Sequence, residues 1–159
     1  MIDKLKLLGV NLHGVYAERN PNFSGGTINI KQNIQIASIK KQSLTLVKEN
    51  ALDIGFSFLL NYGDYGKILL SGNIRFLIKD EKDLDKIIKD WENKTLDLGI
   101  RNHIASIINR KCTVRALQLE EELDFPFHIQ SLMDKIGGDK QSKSQDKKDS
   151  KETKDSEDN

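Results

Sequence analysis

Residues 55–78 read GFSFLLNYGDYGKILLSGNIRFLI, and this stretch decides the fold class. Large apolar side chains occupy alternate positions in its first half, and Leu52 and Ile54 begin the same alternation upstream. The second half repeats the pattern, and the NYGDYG segment between the halves supplies the glycines that turns require. We therefore predict two antiparallel strands joined by a turn, each with one face in the core.

Two further strands are predicted before this hairpin. Residues 5–19, LKLLGVNLHGVYAER, mix apolar and polar positions, and their two glycines suit strand bends or bulges. Between residues 28 and 36, isoleucines alternate with polar residues, which is typical of a strand with one solvated face. Ile39 departs from that register and predicts a bulge near Ser38, after which KKQSLTLVKEN continues the strand or forms a loop.

Two helices are predicted after the strands. The first has apolar residues at the i, i+3, i+4 and i+7 spacing, namely Leu84, Ile87, Ile88 and Trp91. The second runs from residue 96 or 97 to residue 123, with a break or bend allowed at Thr113 and Val114, and Pro126 prevents its continuation. Residues 125–133, FPFHIQSLM, follow as an extended apolar segment. Strands followed by helices favour an α+β fold, with an antiparallel sheet and both helices on one face.

The C-terminal residues differ in composition from the rest of the chain. Residues 139–159 contain no aliphatic or aromatic side chain, so nothing offsets the entropy cost of ordering them. Gly137 and Gly138 offer a hinge before them. We predict one folded domain over residues 1–136 and a disordered charged tail over residues 137–159.

Charge and composition exclude several classes of function. The 25 basic and 24 acidic residues give no net field that would attract nucleic acid or an anionic membrane. No apolar run approaches the roughly 20 residues that span a bilayer, so no membrane span is predicted. A single cysteine cannot form an internal disulfide, and the N-terminus lacks a signal-peptide pattern. A cytoplasmic location is expected.

No catalytic or metal-binding pattern is present in the sequence. The three histidines lack metal-ligand spacing, and the glycine pairs lack the strand-to-helix context of a phosphate loop. Cys112 follows Arg110 and Lys111, whose charges could activate a thiol, but its position on an apolar helix stripe favours a buried side chain. We predict that the protein is not an enzyme, binds no cofactor or metal, and acts by binding another macromolecule.

Residues 5–133 resemble the SecB-type export chaperones and their archaeal SecB-like relatives. The resemblance lies in the opening strand LKLLGVNLHGVYAER, the hairpin at residues 55–78, the long helix, and the LDFPFHIQSLM segment after it. The chain differs from the family in two ways: its final segment contains only one proline, Pro126, and the chain lacks the strong acidity of SecB.

The resemblance implies a Greek-key-like four-stranded antiparallel sheet with two helices, assembled as a homo-oligomeric dimer or tetramer. It also implies a holdase that binds unfolded or nonnative polypeptides in apolar grooves between sheet and helix, with protein export as one setting. The candidate polypeptide-binding residues are Phe56, Phe58, Tyr62, Tyr65, Phe125, Phe127, Ile129 and Met133.

Two alternatives remain open at this point. One is a non-enzymatic adaptor or ribosome-associated subunit that docks one specific protein partner through a sheet edge or the tail. The other is a small-ligand binder or enzyme with a cavity between sheet and helices. Its candidate polar residues are Arg75, His103, Asn109 and Arg115. An exposed apolar groove larger than a few hundred Å² would distinguish the holdase.

Overall fold

The computed structural model describes residues 2–44 and 49–129. Its four strands and two helices are β1 (Lys6–Arg19), β2 (Lys31–Leu44), β3 (Glu49–Asn61), β4 (Gly66–Leu77), α1 (Glu81–Glu92) and α2 (Leu98–Glu122). Single 3-10 turns lie at Ile2–Lys4 and Gly63–Tyr65. The chain divides into units Met1–His128 and Ile129–Asn159, and the architecture below belongs to the first.

The four strands form one antiparallel sheet in the order β1-β4-β3-β2. Strands β2, β3 and β4 pair with their sequence neighbours, whereas β1 lies beside β4, which is a Greek-key order. The α+β class, with a four-stranded antiparallel sheet followed by two helices, is confirmed. Both β1 and β2 are edge strands.

The predicted hairpin sets the register of the sheet. Ile54 pairs with Ile74, and Phe58 pairs with Leu70, so the apolar positions of β3 and β4 share one face. Side chains on this face and on the two helices form the core. The opposite face of the sheet carries mainly small and polar side chains.

Each helix begins at an aspartate that caps it. The Asp80 carboxylate accepts the backbone N–H of Lys82, and the Asp97 carboxylate accepts that of Ile100. The buried stripe of α1 includes Leu84 and Ile87, as its spacing predicts. That of α2 runs from Ile100 through Ile104, Ile108 and Cys112 to Leu119.

The start of β2 differs from the sequence prediction, whereas the bulge within β2 agrees with it. Ile28 and Ile30 precede β2 because its ladder with β3 ends at the Lys31–Asn61 pair; both remain partly buried against the core. The predicted bulge is confirmed between Ile36 and Ser38. Beyond it, the strand continues to residue 44.

The second helix is continuous through Thr113 and Val114, so the break considered there does not occur. It ends at Glu122, before Pro126, and Asp124 adopts a φ of 56°, a left-handed conformation that aspartate tolerates. Residues 125–127 are irregular, and helical geometry begins again at residues 128–129, where the prediction was extended. Residues 130–133 and the predicted tail lie outside the described residues. Of the helices that are described, none is long and apolar enough to cross a membrane.

Candidate functional site

The eight predicted polypeptide-binding residues lie in different environments. Four of them are almost fully buried in the core: Phe56, Phe58, Tyr62 and Phe125. Tyr65 is partly buried, Phe127 and Ile129 are exposed, and Met133 lies outside the described residues. The four buried side chains support the sheet and helices from within and present almost no surface to a ligand in this chain.

An aromatic cluster does form where the hairpin turn meets the end of α2. The rings of Tyr62 and Phe125 have centroids 4.4 Å apart, and Tyr65 packs edge-on against Phe125 at 5.3 Å. Phe23 extends the cluster through an edge contact with Tyr65 at 5.0 Å. The cluster joins the turn between β3 and β4, the loop between β1 and β2, and the segment after α2.

Beside this cluster, Glu120 forms a buried hydrogen-bonded group with Tyr62 and His128. Oε1 of Glu120 accepts the O–H of Tyr62 and the backbone N–H of His128 at 3.0 Å. The Nδ1 atom of His128 lies 2.7 Å from the same oxygen. Burial and the bond to Glu120 raise the pKa of Tyr62 well above its usual value, so its hydroxyl stays protonated and donates. We interpret this group as a structural tie rather than a reaction centre, because it is enclosed by the core.

Cys112 is fully buried, as its place on the apolar stripe predicts. Burial raises the pKa of its thiol to about 11, and the opposing effect of the Lys111 charge is smaller. The thiolate that a nucleophile requires is therefore disfavoured.

The polar residues considered for a ligand cavity are separated in the structure. Arg75 donates from Nε to Asp53 on the open face of the sheet at 3.2 Å. On the helix side, Asn109 accepts a bond from Gln32, and Arg115 donates to Gln118. His103 packs against Phe76. In the part of the chain that the structure describes, no group of three or more His, Cys, Asp or Glu side chains could hold a metal.

A chain of hydrogen bonds crosses three strands on the open face of the sheet. His13 Nε2 lies 2.9 Å from Asn73 Oδ1, and Asn73 Nδ2 donates to Asp53 at 2.6 Å. The Asp53 carboxylate also accepts a hydrogen bond from Nε of Arg75. These bonds align β1, β4 and β3, and they satisfy the polar groups at the centre of this face.

The most unusual surface is the edge strand β1. Residues 7–17, LLGVNLHGVYA, contain no lysine, arginine, aspartate or glutamate. Within them, Leu7, Leu8, Val15 and Tyr16 are each between 38% and 49% exposed. Natural proteins usually protect an edge strand with charges, since its unpaired N–H and C=O groups accept another strand.

The opposite edge, β2, carries the expected protection. Lys31, Lys40 and Lys41 are exposed along it, and Lys41 Nζ contacts Glu81 of α1 at 2.5 Å. Within residues 2–44 and 49–129, β1 is therefore the edge that is open to pairing. Bulges after Leu7 and Leu12 bend β1, but Gly14 to Arg19 pair with β4 without interruption.

A groove with a volume of about 440 Å³ runs between β1 and α2. Its apolar walls come from Val10 and Leu12 on β1 and from Ile107 and Val114 on α2. Its polar lining comes entirely from α2: Arg110, Lys111, Arg115 and Gln118. Leu7 and Val15 point to the same side of the sheet as the groove, because they pair with the core residues Phe76 and Leu70.

The sequence prediction did not identify this groove. One signal was available, the absence of charge over residues 7–17 beside charged flanks. The contribution of α2 had no local signal, because the groove joins residues about one hundred positions apart.

The fold is of the α+β class, and in the part of the chain that the structure describes one sheet edge, β1, lacks protecting charges over residues 7–17. No protein-family model matches the chain, and no curated protein or solved structure does either. The resemblance to SecB-type chaperones therefore stays a prediction.

Proposed function

We propose that the protein is a non-enzymatic binder of unfolded or nonnative polypeptides, acting as a SecB-like holdase. The observation that carries this proposal is the uncharged edge of β1 next to an apolar groove. The polypeptide-binding surface is thus the β1 edge and groove.

Strand addition suits a ligand that has no fixed sequence. An extended segment placed beside β1 gains backbone hydrogen bonds that do not depend on its side chains. Alternate side chains of that segment face the groove, where Val10, Leu12 and Ile107 offer apolar contact. Burial of apolar surface contributes about 25 cal/mol per Å² before the entropy of ordering the segment is subtracted.

Suppression of aggregation tests the proposal. A chemically unfolded model protein is diluted into refolding buffer, and its light scattering is recorded in the presence and in the absence of the purified chain. We expect suppression by the wild-type chain and its loss in a Leu7→Lys, Val15→Lys variant, because the new charges oppose strand pairing. Leu98→Lys is the control, since Leu98 is 69% exposed and is part of neither β1 nor the lining of the groove.

Size-exclusion chromatography with light scattering on the same samples measures the oligomeric state, for which the resemblance predicts a dimer or tetramer. Failure of the wild-type chain to suppress aggregation would contradict the holdase function. Capture of one folded partner without any such suppression would favour the adaptor alternative. Equal suppression by both lysine variants would remove β1 as the binding surface.

A further inference from the structure

Three basic side chains line the α2 side of the groove beside β1. Arg110 and Lys111 are exposed, and neither forms an ion pair within residues 2–44 and 49–129. Arg115 is better satisfied, since its Nη1 donates to Gln118 at 3.0 Å and lies 4.0 Å from Glu122. The groove therefore combines apolar walls with positive charge that is largely unneutralised.

The β1 side of the groove does not balance this charge. Residues 7–17 contain no carboxylate, and Glu18, just beyond them, accepts a hydrogen bond from Tyr16 on the strand's other face. Lys67 also lies over the Tyr16 ring, at 5.5 Å. Among the described residues, the lining of the groove contains no carboxylate that meets Arg110 or Lys111, so a bound acidic segment would supply one.

We infer that the β1 edge selects extended polypeptide segments that carry acidic and apolar side chains on the same face. This inference rests on the proposed function and adds the class of segment that is bound. With such a segment beside β1, its apolar side chains contact Val10 and Leu12. Its carboxylates, two positions away along the strand, reach the basic residues of α2.

Charge favours such a segment over a second copy of the chain. A second copy that paired through its own β1 would place another copy of the uncharged residues 7–17 in the groove. It would also bring a second set of the same basic side chains. Like charges placed close together oppose association.

Matched peptides test the inference. Two fluorescent peptides have threonine on one strand face; on the other face, valine alternates with glutamate in the first peptide and with lysine in the second. Fluorescence anisotropy gives the affinity of each for the full chain. We expect the glutamate peptide to bind about tenfold more tightly, the size expected for a few partly exposed charge pairs. Added salt should reduce the difference.

Two double variants locate the selectivity. Arg110→Gln, Lys111→Gln should abolish most of the difference between the peptides, by weakening the binding of the glutamate peptide more than that of the lysine peptide. Lys86→Gln, Lys89→Gln changes the net charge equally on exposed positions of α1 and should leave the difference unchanged.

The outcomes separate the inference from the function on which it rests. Equal binding of the two peptides by a chain that suppresses aggregation overturns acidic selectivity alone. A preference for glutamate that survives in the Arg110, Lys111 variant also overturns the inference, because another surface would then be responsible. If neither peptide binds and aggregation proceeds, the proposed function itself fails. A dimer that binds neither peptide and dissociates in the Leu7→Lys, Val15→Lys variant would assign the edge to a second copy.

Discussion

The Nδ1 atom of His128 lies 2.7 Å from Oε1 of Glu120, and this contact ties the segment after α2 back to the helix. The same oxygen accepts the backbone N–H of His128 and the hydroxyl of Tyr62, which directly follows β3. Glu120 is 0% exposed and His128 is 3% exposed, so water does not compete for these bonds. One buried carboxyl group therefore joins the helix, the sheet and the post-helix segment.

Removal of this carboxyl group should destabilise the fold strongly. Glu120→Ala leaves the Tyr62 hydroxyl and the His128 N–H groups without their acceptor in a buried site. We expect a loss of about 3 kcal/mol in the free energy of unfolding, measured by urea denaturation. Glu121→Ala is the control, because Glu121 is exposed, and a change within about 0.5 kcal/mol is expected. Similar losses in the two variants would contradict the role of Glu120.

The hydroxyl of Tyr62 should contribute a smaller part of that stability. Tyr62→Phe keeps the ring contact with Phe125 and removes only the hydrogen bond to Glu120. The expected loss is about 1.5 kcal/mol by urea denaturation. Tyr16→Phe removes a hydroxyl that donates to Glu18 on the surface, and its effect should lie within about 0.5 kcal/mol. A neutral Tyr62→Phe substitution would show that the hydroxyl is not needed.

Stability should fall in alkaline solution through Cys112. Burial raises the pKa of its thiol from 9.0 to about 11 in the folded chain. Because the folded pKa is the higher one, the contribution of the thiol to the free energy of unfolding is complete below pH 9 and is lost as the pH rises through 11. The loss should be about 3 kcal/mol, and Cys112→Ala should flatten the stability profile across this pH window.

The comparison of the two chains at each pH isolates Cys112, because other alkaline titrations, including that of Tyr62, occur in both. The wild-type thiol should also react slowly with a thiol reagent at neutral pH and rapidly in urea. Parallel pH profiles for the two chains would disprove the assignment.

Gly66 should not tolerate a side chain. Its φ is 150°, and an added Cβ would lie 2.1 Å from the Glu18 carbonyl oxygen and 2.9 Å from the Phe125 ring. We expect Gly66→Ala to cost about 3 kcal/mol in urea denaturation. Gly63, with a φ of 62° and open space around its Cβ position, serves as the comparison. Gly63→Ala should cost about 1 kcal/mol, from the left-handed backbone alone. Equal costs would show that β1 can move away from Gly66.

The fold class was predictable because its signals are local. Alternation in β3 and β4 and the change to helical spacing near Leu84 each lie within a short window, and both appear in the structure. The departure of Ile39 from the register of the earlier isoleucines likewise predicted a bulge near Ser38, and the bulge forms between Ile36 and Ser38. The start of β2 was harder to predict from the sequence, because the ladder between β2 and β3 ends at the pair of Lys31 with Asn61.

The candidate site was less predictable because it depends on exposure and long-range contact. Phe56 and Phe58 were predicted to bind polypeptide, yet both face the helices and are buried. The pattern that makes a residue a groove candidate also makes it a core residue, and only packing distinguishes the two. Arg110 and Lys111 had been noted only as neighbours of Cys112.

The sequence by itself determined the period and order of the secondary structure, the turn chemistry of the hairpin, and the absence of charge over residues 7–17. These properties follow from interactions between near neighbours along the chain. The tertiary structure alone decided that β1 pairs with β4, has no second strand partner among the described residues, and lies beside the basic face of α2. That arrangement depends on which distant segments bury apolar surface together, and only the folded chain brings them into contact.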